Sequence, residues 1–318
     1  MKKILGLVLI SLIILTGCGN KTVDTTALKF NKQGDNYSLN VTEEMTTYSK
    51  LIEDLDALDI EFDKNTPVAV LQTSTANILD SLGMNIVAVT KSKDLSDNLK
   101  SGIKDGSITN LGSAPHPNFE SLYSSKAEVV FTGSNFPFMD RYPAIDNLVV
   151  LPQNTYAEIF YTTYGLIDTF SLGEDAHKVF NELVSTDQEA KALIKDIELG
   201  NVAILKYAYE NVTIAPDNTY AGSLLTELGV KNMYGQLSDI DIPINKEKLL
   251  TDNPDIIIIY GKGDDAKQQI ENMIQTADLS NLDAYKNKKI FILESQSLNV
   301  DIDSPTTLLE LSKDLYGE

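Results

Sequence analysis

The sequence predicts an α/β fold of two Rossmann-like lobes, joined by one long spine helix and separated by a ligand cleft. Two observations predict it. Short runs of β-branched residues alternate with helical patterns in both halves of the chain, which is typical of parallel strands connected by helices. Between the halves lies a helical stretch, 174–199, without proline or glycine. At 1.5 Å per residue it would span about 38 Å, more than a crossover between neighbouring strands requires.

The N-terminus, MKKILGLVLISLIILTGCGN, combines a basic start, a short apolar run and a segment that ends at Cys18. An apolar run this short favours a signal peptide over a membrane span. The tetrapeptide LTGC resembles a bacterial lipobox, whose cysteine is acylated and becomes the new N-terminus. We therefore expect residues 1–17 to be a lipoprotein signal peptide and Cys18 to anchor the chain to the outer face of the cell membrane. An ordinary secretory cleavage beside an incidental cysteine is the alternative.

Composition excludes several classes of site. Cys18 is the single cysteine, so neither an internal disulfide nor a thiolate metal cluster can form. Without Lys2 and Lys3 the chain keeps 24 basic and 46 acidic residues, and such an acidic surface disfavours nucleic acids. The sole arginine is Arg141. This argues against a highly anionic catecholate ligand, because arginine is the preferred residue for binding anions through paired hydrogen bonds. We expect a monomer without a nucleic-acid partner.

The chain then divides into four parts. Residues 18–62 are polar, with one amphipathic helical pattern at 43–58, and are expected to form a lipid-anchored tether and N-terminal extension without chemistry of their own. Residues 63–172 are predicted to form the N-terminal lobe, 173–199 the spine helix and 200–318 the C-terminal lobe.

Apolar runs mark the expected strands in each lobe. In the N-terminal lobe they occur at 68–71, 86–89, 128–131 and 148–151, with helices at 74–82, 118–125 and 156–170. In the C-terminal lobe they occur at 202–205, 212–215, 255–260 and 289–293, with helices at 220–228, 246–251, 265–275 and 305–316.

One module occurs in both halves. GSAPHPNFESLYSSKAEVVFTG (112–133) and DIPINKEKLLTDNPDIIIIYGKG (241–263) each give a turn, an asparagine two residues ahead of a glutamate, a helix, and a hydrophobic strand that ends in glycine. The correspondence favours two similar lobes that face each other.

Four stretches carry a resemblance to a known family: TPVAVLQTSTANILDSLGMNIVAVT, LGSAPHPNFESLYSSKAEVVF, TIAPDNTYAGSLLTELGVKNMY and INKEKLLTDNPDIIIIYGKG. From about Thr66 to the C-terminus they resemble the binding proteins of ABC importers for iron complexes and tetrapyrroles, the class with a rigid helical spine. The third stretch is most similar to Gram-positive haem receptors. The resemblance implies a binding protein without an intrinsic cofactor, with an ABC permease dimer and its ATPase as partners. Haem is the favoured ligand, and a hydroxamate siderophore or a corrinoid is the alternative.

Two glutamates match positions where this family docks onto its permease. Glu120 in PNFE and Glu247 in INKE correspond to one exposed glutamate per lobe, and the resemblance implies that each engages a permease arginine through a charge-assisted pair. The alternative is a first-turn glutamate that is merely favoured by the helix dipole.

His116 lies between Pro115 and Pro117 in the loop that, in this family, lines the cleft and carries an axial haem ligand. The resemblance therefore implies that His116 ligates iron, since imidazole is a regular haem ligand and the prolines would stiffen the loop. A solvent-facing loop histidine is the alternative. The family's C-lobe histidine is replaced by Tyr260, which could ligate ferric iron as a phenolate, and Lys262 could contact a carboxylate. His177, in the spine, is expected at the surface.

Further cleft residues are expected just beyond the carboxyl ends of the strands, where ligands of open α/β sheets bind. They are Thr73, Ser74, Thr75, Tyr207, Tyr209 and Tyr220, together with an apolar wall for a flat macrocycle made of Phe136, Phe138 and Met139. For each tyrosine, packing within a lobe is the alternative.

An exported enzyme on the same scaffold, a hydrolase or a chelatase, is the competing class of function. A serine hydrolase of that kind needs a Gly-x-Ser-x-Gly elbow with a histidine base, and no such pentapeptide occurs. A purely structural lipoprotein would leave the paired modules unexplained. We therefore predict a non-enzymatic binding protein.

Overall fold

The computed structural model describes residues 28–58, 60, 62–134, 136, 139, 143–194, 200–208, 211–237, 239, 242–244, 246–261, 268, 271, 272, 275, 279–294 and 300–316. The predicted signal peptide, Cys18, Phe138, Tyr209 and Lys262 lie outside these residues, as does most of the helix expected at 265–275. Of the helices that are described, none combines the length and the apolar character needed to cross a membrane.

The extension is folded onto the rest of the protein. An antiparallel hairpin of β1 (Phe30–Gln33) and β2 (Asn36–Leu39) precedes helix α1 (Thr46–Asp56). The Phe30 ring lies 5.2 Å from that of Phe160 and 6.1 Å from that of Phe180. Burying aromatic rings contributes strongly to stability, so residues 28–56 of the predicted N-terminal extension are packed firmly onto the rest of the protein.

The N-terminal lobe is built on a five-stranded parallel sheet in the order β5-β4-β3-β8-β9. Its strands are β3 (Val68–Val70), β4 (Ile86–Val89), β5 (Thr109–Asn110), β8 (Val129–Gly133) and β9 (Leu148–Leu151). Its helices are α2 (Thr73–Ser81), α3 (Asp97–Asp105) and α4 (Phe119–Ser124). A two-stranded ribbon, β6 (Gly112–Ser113) with β7 (His116–Pro117), precedes α4. The strands predicted from apolar runs are confirmed, and β3 and β8 are buried throughout, as central parallel strands should be.

Two helices connect the sheets: the helix predicted at 156–170 and the spine helix. They are α5 (Ala157–Phe170) and α6 (Glu174–Ala192), and α5 ends at Ser171 in a left-handed conformation. The spine helix was predicted over 173–199, and in the structure α6 ends at Ala192. Residues 195–199 lie outside the described part of the chain. The apolar spacing in α6 is borne out, because Phe180, Leu183 and Val184 are buried.

The C-terminal lobe has a four-stranded sheet in the order β11-β10-β12-β13. Its elements are β10 (Val202–Ala208), β11 (Asn211–Ile214), α7 (Tyr220–Glu227), α8 (Lys246–Asp252), β12 (Ile256–Gly261), α9 (Asp283–Lys286), β13 (Ile290–Glu294) and α10 (Ser304–Tyr316). Strands β10, β12 and β13 are parallel, whereas β11 pairs antiparallel with β10. The two strands are separated by only two residues, and a parallel pair would need a long crossover.

The main core runs across both lobes and the connecting helices. α10 packs along α6, and α1 packs on α5. Rings of α1 and α5 meet here, since Tyr48 lies 6.2 Å from Tyr161. The extension, the connecting helices and the C-terminal helix therefore pack on one another and share the main core.

Candidate functional site

The N-terminal sheet reverses its strand order between β3 and β8. From β3 the chain crosses through α2 to β4 on one side, while β8 lies on the other side. In open α/β sheets, the crevice outside the carboxyl ends of two such strands is the usual place for a ligand. The residues that follow β3 and β8 therefore define the candidate site.

Two glutamines tie the ends of three strands together at this point. The side chain of Gln153, which follows β9, is fully buried, and its Oε1 accepts hydrogen bonds of 3.2 Å from the hydroxyls of both Ser74 and Thr75. Its Nε2 has no partner within the described residues. At the end of β8, the Gly133 N–H donates to Oε1 of Gln72 over 2.7 Å. The ends of β3, β8 and β9 are thus held by side-chain amides.

Gly133 provides the room for these two amides. A Cβ at this position would lie 2.1 Å from Gln153 Oε1 and 2.4 Å from Gln72 Oε1. Real Cβ atoms do not approach oxygen this closely, so any side chain here would displace one of the amides.

Ser134 and Asn154 are the exposed polar groups beside this junction. The hydroxyl oxygen of Ser134 accepts a 2.9 Å hydrogen bond from the Gln153 N–H and a 2.7 Å hydrogen bond from Asn154 Nδ2. Glu158, in the first turn of α5, accepts hydrogen bonds from the N–H groups of Asn154 and Thr155 and so caps the start of that helix. The segment 152–155 is therefore fixed from both sides.

Of the residues predicted after the first strand, Ser74 and Thr75 are turned into the protein and Thr73 is half-exposed. The first two support Gln153 rather than facing the crevice. Contact between Thr73 and a ligand stays a prediction.

His116 lies in β7 of the two-stranded ribbon, where it pairs with Ser113 and is exposed. Within the described chain its imidazole has no hydrogen-bond or ion-pair partner, so both ring nitrogens are free. The ribbon holds it by main-chain pairing in addition to the flanking prolines. Its role as an iron ligand stays a prediction.

Of the aromatic residues predicted to line the cleft, those that the structure describes are buried or half-buried inside the lobes. Phe136 is 7% exposed and belongs to the apolar cluster on one side of the N-terminal sheet, where the half-buried Met139 packs against it. Tyr207 and Tyr220 are each 8% exposed, and burial raises the pKa of the Tyr220 phenol. Tyr260, in β12, is half-buried against the main core. The packing alternative therefore describes Tyr207 and Tyr220 in this structure.

The two glutamates predicted to dock onto a permease are both exposed in the first turns of short helices. Asn118 caps α4 by accepting a 3.0 Å hydrogen bond from the Ser121 N–H, which turns Glu120 outwards. Neither Glu120 nor Glu247 forms an ion pair with any described residue. Both carboxylates are available to a partner.

His177 is half-buried on α6 rather than fully exposed, and its Nδ1 is buried without a described partner. No group of three or more histidine, cysteine, aspartate or glutamate side chains in the described chain is arranged to hold a metal ion.

Residues 68–297, which include both sheets and the candidate site, match the family model described as periplasmic binding protein. The chain belongs to the periplasmic binding protein family. Members of this family are binding proteins and not enzymes, so this periplasmic binding protein takes a small-molecule ligand outside the cytoplasm and works with a permease. The extension formed by β1, β2 and α1 precedes the matched region.

Solved structures share the fold at low sequence identity. An ABC transporter substrate-binding protein from Listeria monocytogenes superposes with a TM-score of 0.70 at 21% identity, covering 80% of this chain and all of that one. IsdE of S. aureus, complexed with heme, gives 0.67 at 22% identity with the same coverage. FeuA of Bacillus subtilis, a triscatecholate siderophore binding protein, gives 0.65 at 16%, covering 81% of this chain and 94% of its own. Among curated proteins, no sequence matches this chain.

Sequence reasoning missed Gln72, Ser134, Gln153 and Asn154. The signal that could have found them is positional, since each lies within three residues of the end of a predicted strand. Strand order was needed to show that β3, β8 and β9 are neighbours, and sequence alone does not give strand order.

Proposed function

We propose that this periplasmic binding protein captures a hydrophilic ferric chelate of the hydroxamate type and delivers it to an ABC permease, held at the outer face of the membrane by a lipid on Cys18. The observation that carries this proposal is the polarity of the crevice at the strand-order reversal. The groups described there are hydroxyls and amides: Gln72, Thr73, Ser134 and Asn154. Such groups match the amide and hydroxamate oxygens of a hydrophilic chelate.

Burial of the aromatic candidates supports a hydrophilic ligand over haem. A flat, apolar macrocycle needs apolar walls, because its burial is driven by removal of apolar surface from water. The rings of Phe136, Tyr207 and Tyr220 are already buried inside the lobes and offer little apolar surface to a ligand. A tris-catecholate ligand is disfavoured by its high negative charge, since the chain carries 46 acidic residues and one arginine.

Haem is the second candidate because of His116. Its exposed imidazole, fixed on the β6–β7 ribbon, has the chemistry of an axial ligand, with Tyr260 as the partner predicted from the other lobe. A corrinoid would use the same imidazole. The structure of IsdE complexed with heme has the same fold, which is compatible with this alternative.

The delivery step is proposed to use Glu120 and Glu247. Each lies exposed and unpaired in the first turn of a helix, one in each lobe. Two carboxylates on separate lobes of one packed body would fix its orientation on a dimeric permease through charge-assisted pairs.

Parallel titrations of the purified chain, residues 19–318, test the ligand. We expect saturable one-to-one binding of a ferric trihydroxamate. Calorimetry measures this binding, because the chain contains no tryptophan whose fluorescence could report it. Ferric haem is titrated in parallel by its Soret absorbance, on wild type and on His116→Ala. A saturable haem shift that changes in the variant, without hydroxamate binding, would replace the hydroxamate by haem. Binding of none of the ferric complexes would reject iron-complex capture.

A further inference from the structure

A groove of about 740 Å³ lies between α1 and the carboxyl ends of β8 and β9. This volume is in the range of small-molecule sites. One wall is the exposed side of α1, and the other is formed by residues just beyond the strands. The lining residues are Glu43, Thr46, Thr47, Ser49, Lys50, Leu51, Glu53, Asp54, Ser134, Val150, Pro152, Asn154 and Glu158.

The α1 wall precedes residues 68–297, the part of the chain that matches the family model. It is nevertheless firmly placed, because Tyr48, Leu51 and Leu55 on its inner side are buried in the main core. The groove is thus a fixed feature in which residues that precede the matched part of the chain face the residues that follow β8 and β9.

Ser134 presents a directed hydrogen-bond donor to the groove. Its oxygen already accepts two hydrogen bonds, from the Gln153 N–H and from Asn154 Nδ2. The hydroxyl proton has no acceptor among the described residues, so it is available to a ligand oxygen. Next to it, the side-chain carbonyl oxygen of Asn154 accepts no hydrogen bond from any described residue. A donor beside an acceptor matches an amide or a hydroxamic group, which carries both.

The charge of the groove selects against anions. Glu43, in the turn before α1, and Glu53, on α1, are exposed, and the one cation of the lining, Lys50, is already paired with Asp54. An ammonium group would gain attraction from the two free carboxylates, whereas a carboxylate would be repelled.

We infer that this groove binds an amide-bearing arm of the ligand that ends in a primary ammonium group, with Ser134 and Asn154 holding the amide and Glu43 and Glu53 facing the ammonium. The inference rests on the proposed function, because the arm belongs to the same ferric hydroxamate that the crevice receives. It narrows the ligand from hydroxamates in general to those with a free amino end.

The test compares two ferric trihydroxamates that differ only at this end, ferrioxamine B and its N-acetyl derivative. We expect calorimetry to give about tenfold weaker binding for the acetylated form, the size of one charge-assisted contact. In a Glu43→Gln/Glu53→Gln double variant this preference should fall to about twofold or less. Glu44→Gln is the matched control, since Glu44 is exposed on the same segment but does not line the groove.

A second pair of variants tests the polar end of the groove. Ser134→Ala should weaken both complexes by about the same factor, about five- to tenfold, because the amide is common to them. Ser185→Ala, at an exposed position on α6 away from the groove, should leave both affinities unchanged. Thermal unfolding of each variant verifies that it is folded.

The outcomes separate the inference from the proposed function. Equal binding of both complexes by wild type, or a preference that persists in the double variant, overturns the ammonium subsite while leaving hydroxamate capture intact. If neither complex binds, hydroxamate capture fails, and the subsite fails with it.

Discussion

Asn77 Nδ2 donates a 3.3 Å hydrogen bond to Oδ2 of Asp301, joining helix α2 of the N-terminal lobe to the segment that begins α10. The other polar atoms of the Asn77 side chain are also used, since Oδ1 accepts from the Ser96 N–H and Nδ2 also reaches the Asp94 carbonyl. Asp301 therefore contacts a rigidly held amide, and its carboxyl is largely withdrawn from water.

Asp301 should make stability depend on pH in an unusual direction. Burial raises the pKa of its carboxyl from 3.8 to about 6, against the lowering effects of the Ile302 N–H and Asn77, and Asp303 raises it further. The folded protein thus binds the proton more tightly than the unfolded chain. Protonated Asp301 therefore contributes roughly 2 to 3 kcal/mol to the free energy of unfolding below a pH of about 4. This contribution is lost as the pH rises to about 6.

Asp301→Asn removes this titration. We expect the variant to gain stability relative to wild type as pH rises from 4 to 6.5, measured by urea unfolding at each pH. The comparison cancels the other carboxylates, which titrate in both proteins. A constant difference across this range would show that Asp301 titrates near its ordinary value.

Lys191→Ala should cost about 3 kcal/mol of unfolding free energy. Lys191 Nζ lies 3.0 Å from Oδ1 of Asp187, which is 1% exposed, and 2.6 Å from Oε2 of Glu227 on α7. Its removal leaves the buried Asp187 carboxylate with the Tyr156 hydroxyl, which donates over 2.9 Å. Chemical denaturation gives the value.

The matched control is Lys178→Ala on the same helix. Lys178 pairs with Asp175 at 2.7 Å, but both side chains are exposed, so the loss should stay below about 1 kcal/mol. Equal losses at the two positions would mean that the Asp187 site is hydrated and that its burial adds nothing.

Gly133→Ala should disturb the candidate site from within. The new methyl group would overlap Oε1 of Gln153 and of Gln72, so one amide must move and the ends of β3 and β8 must separate. We expect a loss of about 1 to 3 kcal/mol in stability and at least about tenfold weaker ligand binding. In a Gln153→Ala background, Gly133→Ala should lower the free energy of unfolding by less than it does in the wild type. An equal loss in both backgrounds would mean that the overlap with Gln153 is not the cause.

Local sequence patterns were sufficient to predict most strands of the two sheets. The runs around Val68, Val129 and Ile256 are short, β-branched and bounded by turns, and each is a buried parallel strand. Strand β11 has the same composition but runs antiparallel, because direction depends on the length of the preceding connection and not on the residues of the strand.

The candidate site was less predictable because burial decides which side chains face a ligand. Tyr220 follows a strand, as a cleft residue should, yet it is turned into the core, whereas Ser134 and Asn154 attracted no attention in the sequence and are exposed. The amphipathic pattern at 43–58 predicted helix α1, whereas the packing of the β1–β2 hairpin could not be predicted, since its apolar residues are sparse and their partners, such as Phe180, are more than a hundred positions away.

Charge reversal at both proposed docking residues should abolish uptake without changing ligand affinity. Glu120 and Glu247 are exposed and lie outside the groove and the crevice, so Glu120→Lys/Glu247→Lys should keep the wild-type dissociation constant and unfolding midpoint. Transport fails because two attractive contacts with permease cations become repulsive, whereas each single reversal should reduce it in part. The control is Glu128→Lys/Glu271→Lys, with exposed or half-exposed glutamates of the same lobes. Lost affinity in the docking variant would assign the two glutamates to the ligand site instead, and normal uptake would remove them from the permease interface.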